Sequence, residues 1–115
     1  MAKKKFTEYE QYDVIMAKSA EDDLNDIINF IAQNKPRTAV VIMDKIHAKV
    51  KTLDRFPYRG SYVPELLARN IKDYRQLTED PWKIIYKINE NVVNVLVIID
   101  SRRNLQDILI KKLLK

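Results

Sequence analysis

The feature that most constrains the fold is an apolar hairpin pattern at residues 81–103, PWKIIYKINENVVNVLVIIDSRR. In its first half, apolar positions alternate with positions that include two lysines, which is the two-residue period of a β-strand. Residues 92–99 are apolar at nearly every position, which is typical of a strand covered on both faces. Turn-forming residues 89–91 join the two halves. The pattern therefore predicts a β-hairpin whose second strand lies inside a sheet and delivers Arg102 and Arg103 to the sheet edge.

A short strand and two amphipathic helices are predicted before this hairpin. Residues 12–17 form the strand, and Ser19 followed by Asp22 has the form of a capping box that starts a helix. Pro36 suits the first turn of a second helix, which is expected to run to about Asp54. The two inward stripes are Leu24, Ile27, Ile28 and Ile31, then Ala39, Ile42, Met43, Ile46, Val50 and Leu53. The opposite face of the first helix is acidic, with Glu21, Asp22, Asp23 and Asp26. Because the connection is short, the helices are predicted to pack as an antiparallel hairpin against the sheet.

The remaining segments predict a loop, one more strand and a closing helix. Residues 55–70 contain three Pro or Gly residues and are interpreted as a loop with one helical turn at residues 65–68. Its large side chains, which we expect to pin it to the core, are Phe56, Tyr58, Val63 and Leu66. Residues 74–78 predict a strand, and residues 104–115 predict a short amphipathic helix.

These elements predict a single α+β domain over residues 1–115, with residues 1–10 as a disordered tail. The expected order is an N-terminal strand, an antiparallel helical hairpin, a three-strand antiparallel meander and a short C-terminal helix. A chain of 115 residues is long enough for one core and too short for two.

Composition excludes several kinds of site. The chain has one histidine, one glycine and no cysteine, so disulfides, zinc knuckles, thiol catalysis and glycine-rich phosphate loops are excluded. We therefore expect no metal and no cofactor. No apolar run approaches ~20 residues, so a membrane span is not expected. We expect a cytoplasmic location.

Charge is distributed unevenly along the chain. Residues 1–54 carry nine Lys or Arg and nine Asp or Glu, whereas residues 55–115 carry twelve and seven. The whole net charge of +5 therefore lies in the half that contains the hairpin. Such an excess indicates either a polyanionic partner, which would be a nucleic acid or an acidic protein, or ordinary solubilising charge. The counts do not separate these two interpretations.

Short motifs in a fixed order give the sequence a family resemblance. They are Ser19-Ala20-Glu21-Asp22-Asp23-Leu24, Phe56-Pro57-Tyr58-Arg59-Gly60, Val63-Pro64-Glu65-Leu66, Tyr74-Arg75-Gln76-Leu77, Trp82-Lys83-Ile84-Ile85-Tyr86 and Arg102-Arg103. Over residues 12–112 the chain resembles the RelE/ParE toxins of bacterial type II toxin–antitoxin modules. None of the motifs is specific alone, but their order and spacing together are.

The resemblance implies two mechanisms, one for each branch of these toxins. RelE-like members are ribosome-dependent ribonucleases that cut messenger RNA, whereas ParE-like members poison DNA gyrase and have no evident nuclease centre. Both are neutralised by an antitoxin. By similarity to the nuclease branch, Arg75, Lys83 and Arg102 occupy the positions of catalytic cations. That branch also carries a Tyr or His near the positions of Asp107 and Ile108, and neither residue here replaces it.

Tyr86 and His47 are the other candidates for a proton-transfer group. Tyr86 shares one side of its predicted strand with Ile84 and Ile88 and is interpreted as a core residue. His47 lies beside the stripe of the second helix, where a lone histidine is usually a packed or half-exposed side chain. Neither residue is therefore assigned a catalytic role.

The sequence thus predicts one basic binding surface made of Arg59, Arg75, Lys83, Arg102 and Arg103. The structural alternative is that these cations pair with neighbouring carboxylates or loop carbonyl groups.

Three functions are open at this point. The long helical hairpin favours a ParE-like toxin that inhibits growth by binding a macromolecular target, with DNA gyrase as a candidate. The alternatives are a RelE-like mRNA interferase, which would be a metal-independent endoribonuclease acting on mRNA at the ribosome, and a non-toxic nucleic-acid-binding module. The expected partner is a small acidic antitoxin in a hetero-oligomer.

Overall fold

The predicted β-hairpin lies within a five-stranded sheet in the computed structural model, which describes residues 11–114. The predicted tail, residues 1–10, lies outside the described residues. The elements are β1 (Asp13–Met16), α1 (Lys18–Ala32), α2 (Pro36–Lys51), β2 (Ser61–Tyr62), α3 (Pro64–Leu67), β3 (Arg75–Glu79), β4 (Trp82–Asn89), β5 (Val92–Asp100) and α4 (Leu105–Leu113). Two 3-10 turns, Thr52–Asp54 and Pro57–Arg59, follow α2. The α+β prediction is confirmed.

The strand order places both hairpin strands inside the sheet. The order is β1-β5-β4-β3-β2, with β1 parallel to β5 and the other pairs antiparallel. Because β5 lies between β1 and β4, the prediction of an interior apolar strand is confirmed. The two-residue strand β2 was not predicted, since Ser61 and Tyr62 are too few to display a period.

A β-bulge explains why β5 is apolar at almost every position. Tyr86 pairs with Val95 and Ile85 pairs with Val97, so Leu96 is an extra residue without a partner on β4. Because side chains alternate along a strand, the extra residue exchanges the two faces of β5 at this point. Helices cover both faces of the sheet, so apolar side chains of β5 are buried on either side of the bulge.

Two hydrophobic cores enclose the sheet. One face of the sheet packs against the helical hairpin of α1 and α2, and we call it the hairpin face. Its core contains Ala20, Leu24, Ile46, Val50, Leu53, Leu77, Ile84, Tyr86, Val93, Val95 and Ile98. The opposite face packs against α3 and the C-terminal helix α4, and we call it the C-terminal face. Its core contains Val63, Leu66, Tyr74, Ile85, Val97, Ile99, Leu105 and Leu109. Full burial of one aliphatic side chain stabilises a fold by ~1.5–3 kcal/mol, so these two cores hold the helices on the sheet.

The prediction of a capping box at the start of α1 is wrong. The N-cap residue is Ala17, which makes no side-chain cap hydrogen bond, and Ser19 lies in the first turn of the helix. The Ser19 hydroxyl instead donates to the carbonyl oxygen of Leu96 at 2.8 Å. Because β1 ends at Met16, the bulged part of β5 has no neighbouring strand there and takes a helix side chain as its partner.

Asp23 does not belong to an exposed acidic face, contrary to the prediction. Its Oδ2 accepts the backbone N–H of Ile98 at 3.0 Å, and its Oδ1 lies 3.3 Å from Nζ of Lys112 in α4. Ser19 and Asp23, one helical turn apart, therefore continue the hydrogen bonding of β5 where β1 stops. Asp23 also connects α4 to α1.

The start of α2 follows its sequence signal. Pro36 occupies the first turn of α2, as predicted, and the α-helix ends at Lys51 before the 3-10 turn that reaches Asp54. In α4, Leu105 and Leu109 are buried, as expected for the predicted amphipathic helix. Within the described residues, no helix has both the length and the hydropathy needed to cross a membrane.

Candidate binding surface

The predicted cations do not all lie on one face of the sheet. Arg75 pairs with Tyr86 across β3 and β4, whereas Lys83 pairs with Thr78. Paired residues point to the same side and side chains alternate along a strand, so Arg75 lies on the hairpin face and Lys83 on the C-terminal face. The sheet therefore separates two of the three cations that the resemblance to the nuclease branch assigns to one site.

Arg102 is paired with a carboxylate of its own chain. Its Nε donates to Oδ1 of Asp100 at 2.9 Å, its Nη2 donates to Oδ2 at 2.6 Å, and its backbone N–H donates to Oδ1 at 2.9 Å. The hydrogen bonds from the side chain and then the backbone of Arg102 lower the pKa of Asp100 to about 2. The Arg102 side chain remains 73% exposed, so an anion that binds it shares the guanidinium group with Asp100.

Arg59, Arg103 and Lys83 have different surroundings. The Nη1 of Arg59 donates to Oγ1 of Thr52 at 2.7 Å, which connects the second 3-10 turn to the first. Arg103 is exposed and Lys83 is half-buried, and neither side chain has a hydrogen bond or ion pair with the described part of the chain. The structural alternative thus matches Arg102, which pairs with a carboxylate, whereas Arg59 bonds a threonine hydroxyl instead. Arg103 and Lys83 stay available to a partner.

Arg75 supports a loop that carries two tyrosines. Its Nη1 donates to the carbonyl oxygen of Gly60 at 2.7 Å and, more weakly, to that of Tyr58 at 3.4 Å. Its guanidinium carbon lies 4.7 Å from the ring centre of Tyr62 and 5.2 Å from that of Tyr58. Cation–π contacts at exposed sites contribute ~0.5–1 kcal/mol each. Arg75 therefore anchors residues 57–62, which we call the tyrosine loop, to β3.

Tyr86 of β4 fixes the same loop through its hydroxyl group. Its hydroxyl donates to the carbonyl oxygen of Pro57 at 2.7 Å and accepts the backbone N–H of Gly60 at 3.0 Å. Burial raises the pKa of the Tyr86 hydroxyl. A Cβ atom on Gly60 would lie 2.5 Å from the Tyr86 hydroxyl oxygen and 2.6 Å from the carbonyl oxygen of Gln76, so only glycine fits. The tyrosine loop is thus held tightly against β3 and β4.

A depression of about 340 Å³ lies beside the loop, and we call it the tyrosine pocket. It is lined by Tyr58, Tyr62, Lys72, Asp73, Arg75, Lys87 and Ile88. The ammonium group of Lys87 lies 5.7 Å from the ring centre of Tyr74. The pocket therefore combines exposed aromatic rings with three cations and one carboxylate.

The candidate proton-transfer groups are not gathered at this surface. Tyr86 is fully buried, which confirms its interpretation as a core residue, and His47 is exposed on α2. Asp107 accepts a hydrogen bond from Nδ2 of Asn104 at 3.1 Å, and Ile108 packs against the core of the C-terminal face. In residues 11–114, no three His, Cys, Asp or Glu side chains come together as a metal site.

The tyrosine loop is the part of the surface that the sequence did not predict. Val63 and Leu66 are buried, as expected for a pinned segment, but Phe56 and Tyr58 are 57% and 60% exposed. The interleaving of aromatic and basic side chains around the single glycine was the available signal, because that combination is typical of binding surfaces.

A five-stranded sheet between a helical hairpin and a C-terminal helix, with arginines at its edges, defines a small α+β domain of the RelE/ParE class. Residues 14–105 match the family described as the ParE toxin of the type II toxin–antitoxin system parDE. The chain belongs to this family, since the match covers most of its length.

Solved structures agree with this assignment at the level of the fold. A chain of the chromosomal ParDE toxin–antitoxin system from P. aeruginosa matches with a TM-score of 0.65 and 19% identity, covering 78% of this chain and 96% of that chain. A chain of the RelBE2 toxin–antitoxin complex from Mycobacterium tuberculosis matches with a TM-score of 0.53 and 18% identity, covering 78% and 91%. A comparison with curated protein sequences found no match.

Proposed function

We propose that this chain is a toxin that arrests growth by binding a macromolecular target, with DNA gyrase as the first candidate. The observation that carries the proposal is the separation of Arg75 and Lys83 onto opposite faces of the sheet. Binding through a broad surface tolerates cations that are far apart, whereas catalysis at a single phosphate does not.

The chemistry of RNA cleavage gives the reason. Cleavage without a metal needs a base for the 2′-hydroxyl, cations for the pentavalent phosphate and an acid for the leaving oxygen. Arg75 and Lys83 cannot reach one phosphate from opposite faces, and the guanidinium group of Arg102 is already paired with Asp100. The RelE-like alternative therefore has less physical support than the binding mechanism.

The proposed partner is a small acidic antitoxin, and the proposed assembly is a cytoplasmic hetero-oligomer of toxin and antitoxin. Both solved relatives are described as toxin–antitoxin systems or complexes. The net charge of +5, concentrated in residues 55–115, supports an acidic partner because complementary charge accelerates association and disfavours wrong partners.

The test is controlled expression of the chain in bacterial cells, followed by growth, primer extension on abundant messenger RNAs and a DNA-damage reporter. We expect growth arrest, induction of the reporter and intact messenger RNA. Cuts within codons would support the mRNA interferase instead, and undisturbed growth would support the non-toxic nucleic-acid-binding module. Co-expression of an acidic protein encoded beside the gene is expected to restore growth.

A further inference from the structure

Three charged side chains around the tyrosine pocket lack neutralising partners among the described residues. Within the described residues, Lys72, Asp73 and Lys87 make no ion pair and no hydrogen bond through their side chains. The ammonium group of Lys87 lies over the ring of Tyr74. Arg75, in contrast, already donates to the tyrosine loop. Lys72 and Lys87 are therefore available to an anion, and Asp73 is available to a hydrogen-bond donor.

The aromatic part of the pocket is both exposed and fixed. Tyr58 is 60% exposed and Tyr62 is 38% exposed, although the guanidinium group of Arg75 lies over both rings. The hydrogen bonds of Tyr86 and Arg75 to the tyrosine loop hold the backbone that carries these rings. A ligand that stacks on them consequently meets a surface that needs little ordering on binding.

The geometry points to a nucleotide as the ligand of the tyrosine pocket. An aromatic base stacks on Tyr58, the more exposed of the two rings. The phosphate is bound by Lys72 and Lys87, and a ribose hydroxyl or an exocyclic amino group donates to Asp73. The volume of about 340 Å³ lies in the range of small-molecule sites. This inference goes beyond the proposed function and does not depend on it.

Inorganic phosphate and an acidic peptide would each use only part of the pocket. Inorganic phosphate has no planar group for the tyrosines and, at neutral pH, at most two hydrogens for Asp73. An acidic peptide places further carboxylates beside Asp73, where like charges repel. A nucleotide uses the rings, the two lysines and the carboxylate together, which is why we favour it.

The test is isothermal titration calorimetry on the full chain with four probes. These are adenosine monophosphate, single-stranded octaadenylate, inorganic phosphate and an oligoglutamate peptide. We expect the two nucleotide probes to bind and the other two to bind at least about tenfold more weakly, since stacking of one base contributes ~1–3 kcal/mol. Tighter binding of the monophosphate assigns the site to a free nucleotide, and tighter binding of the octamer assigns it to single-stranded nucleic acid.

Matched variants connect the binding to the pocket. Tyr58→Ala and Lys87→Gln are each expected to weaken nucleotide binding by about tenfold, through lost stacking and a lost charged hydrogen bond. Tyr58→Phe keeps the ring and is expected to retain the affinity. Phe30→Ala and Lys45→Gln change an exposed aromatic and an exposed lysine on α1 and α2, away from the pocket, and are expected to have no effect.

Three results would overturn the inference. They are the absence of binding by both nucleotide probes, equal binding of phosphate or oligoglutamate, and unchanged affinity in Tyr58→Ala. Growth arrest does not enter this measurement, so failure of the nucleotide site and failure of the proposed toxin function remain distinguishable.

Discussion

The hydroxyl of Tyr86 and the backbone N–H of Gly60 are 3.0 Å apart and form a buried hydrogen bond between β4 and the tyrosine loop. Tyr86 is part of the core on the hairpin face, so the same residue that packs against the helices also positions Tyr58 and Tyr62. The shape of the candidate binding surface therefore depends on the integrity of the core.

Tyr86→Phe tests this dependence. The substitution keeps the ring but leaves the Gly60 N–H and the Pro57 carbonyl group without their partner. We expect the free energy of unfolding to fall by ~1–3 kcal/mol, measured by urea denaturation, because an unsatisfied buried polar group keeps its desolvation cost. The control is Tyr58→Phe at an exposed ring, with an expected change within ~0.5 kcal/mol. Equal stabilities of the two variants would contradict the prediction.

Gly60→Ala is expected to destabilise through steric overlap. The φ angle of Gly60 is −76°, which any residue adopts, so the cost comes from two overlaps of the added Cβ, 2.5 Å from the Tyr86 hydroxyl oxygen and 2.6 Å from the carbonyl oxygen of Gln76. Overpacking of this kind costs ~1–3 kcal/mol. In the Tyr86→Phe background the hydroxyl is gone, and we expect Gly60→Ala to cost less, which a double-mutant cycle measures. Strictly additive effects would show that the two residues are not coupled.

Asp23→Ala is expected to lower the free energy of unfolding by ~1–3 kcal/mol, because the N–H of Ile98 loses its acceptor. Asp23→Asn keeps an acceptor oxygen and loses mainly the Lys112 ion pair, so its expected cost is below ~1 kcal/mol. The control on the same helix is Asp22→Ala, which removes only an exposed ion pair with Lys18 and should cost ~0.5 kcal/mol or less. A loss in Asp22→Ala as large as that in Asp23→Ala would remove the special role of Asp23.

Asp100 is expected to make part of the stability dependent on acidic pH. Its pKa is about 2 in the folded chain against an ordinary value of 3.8, so folding favours the ionised carboxylate. The resulting stabilisation is complete above the ordinary pKa and is lost as the pH falls through the folded pKa. We therefore expect the stability difference between the wild type and Asp100→Asn to shrink as the pH is lowered from 5 to 2 in chemical denaturation. A difference that stays constant over this range would contradict the role of the Arg102 pair.

Much of the fold could be predicted because its elements carry clear periods. The alternation in β4, the apolar run of β5 and the stripes of α1 and α2 each have one physical interpretation. The bulge at Leu96 could not be predicted, because an extra apolar residue inside an apolar strand leaves the pattern unchanged. The roles of Ser19 and Asp23 could not be predicted either, since they depend on where β1 stops beside β5.

The basic residues of the surface could be named from the sequence, but their arrangement could not. Arg75 and Lys83 lie on different strands, and only the pairing register decides whether they share a face. The pairing of Arg102 with Asp100 was one of several alternatives, and the turn after β5 selects it. The grouping of Tyr58, Tyr62 and Lys87 depends on contacts between loop and sheet that no local period encodes.

The most direct test of the proposed mechanism combines two assays of the purified chain. In the first, the chain is added to ribosomes translating a defined messenger RNA, and the 5′ ends of that RNA are mapped. In the second, the chain is added to a gyrase supercoiling reaction. We predict full-length messenger RNA and loss of supercoiling at the same toxin concentration. Cuts within codons that disappear in Arg102→Ala, with supercoiling unaffected, would contradict the binding mechanism and establish a nuclease.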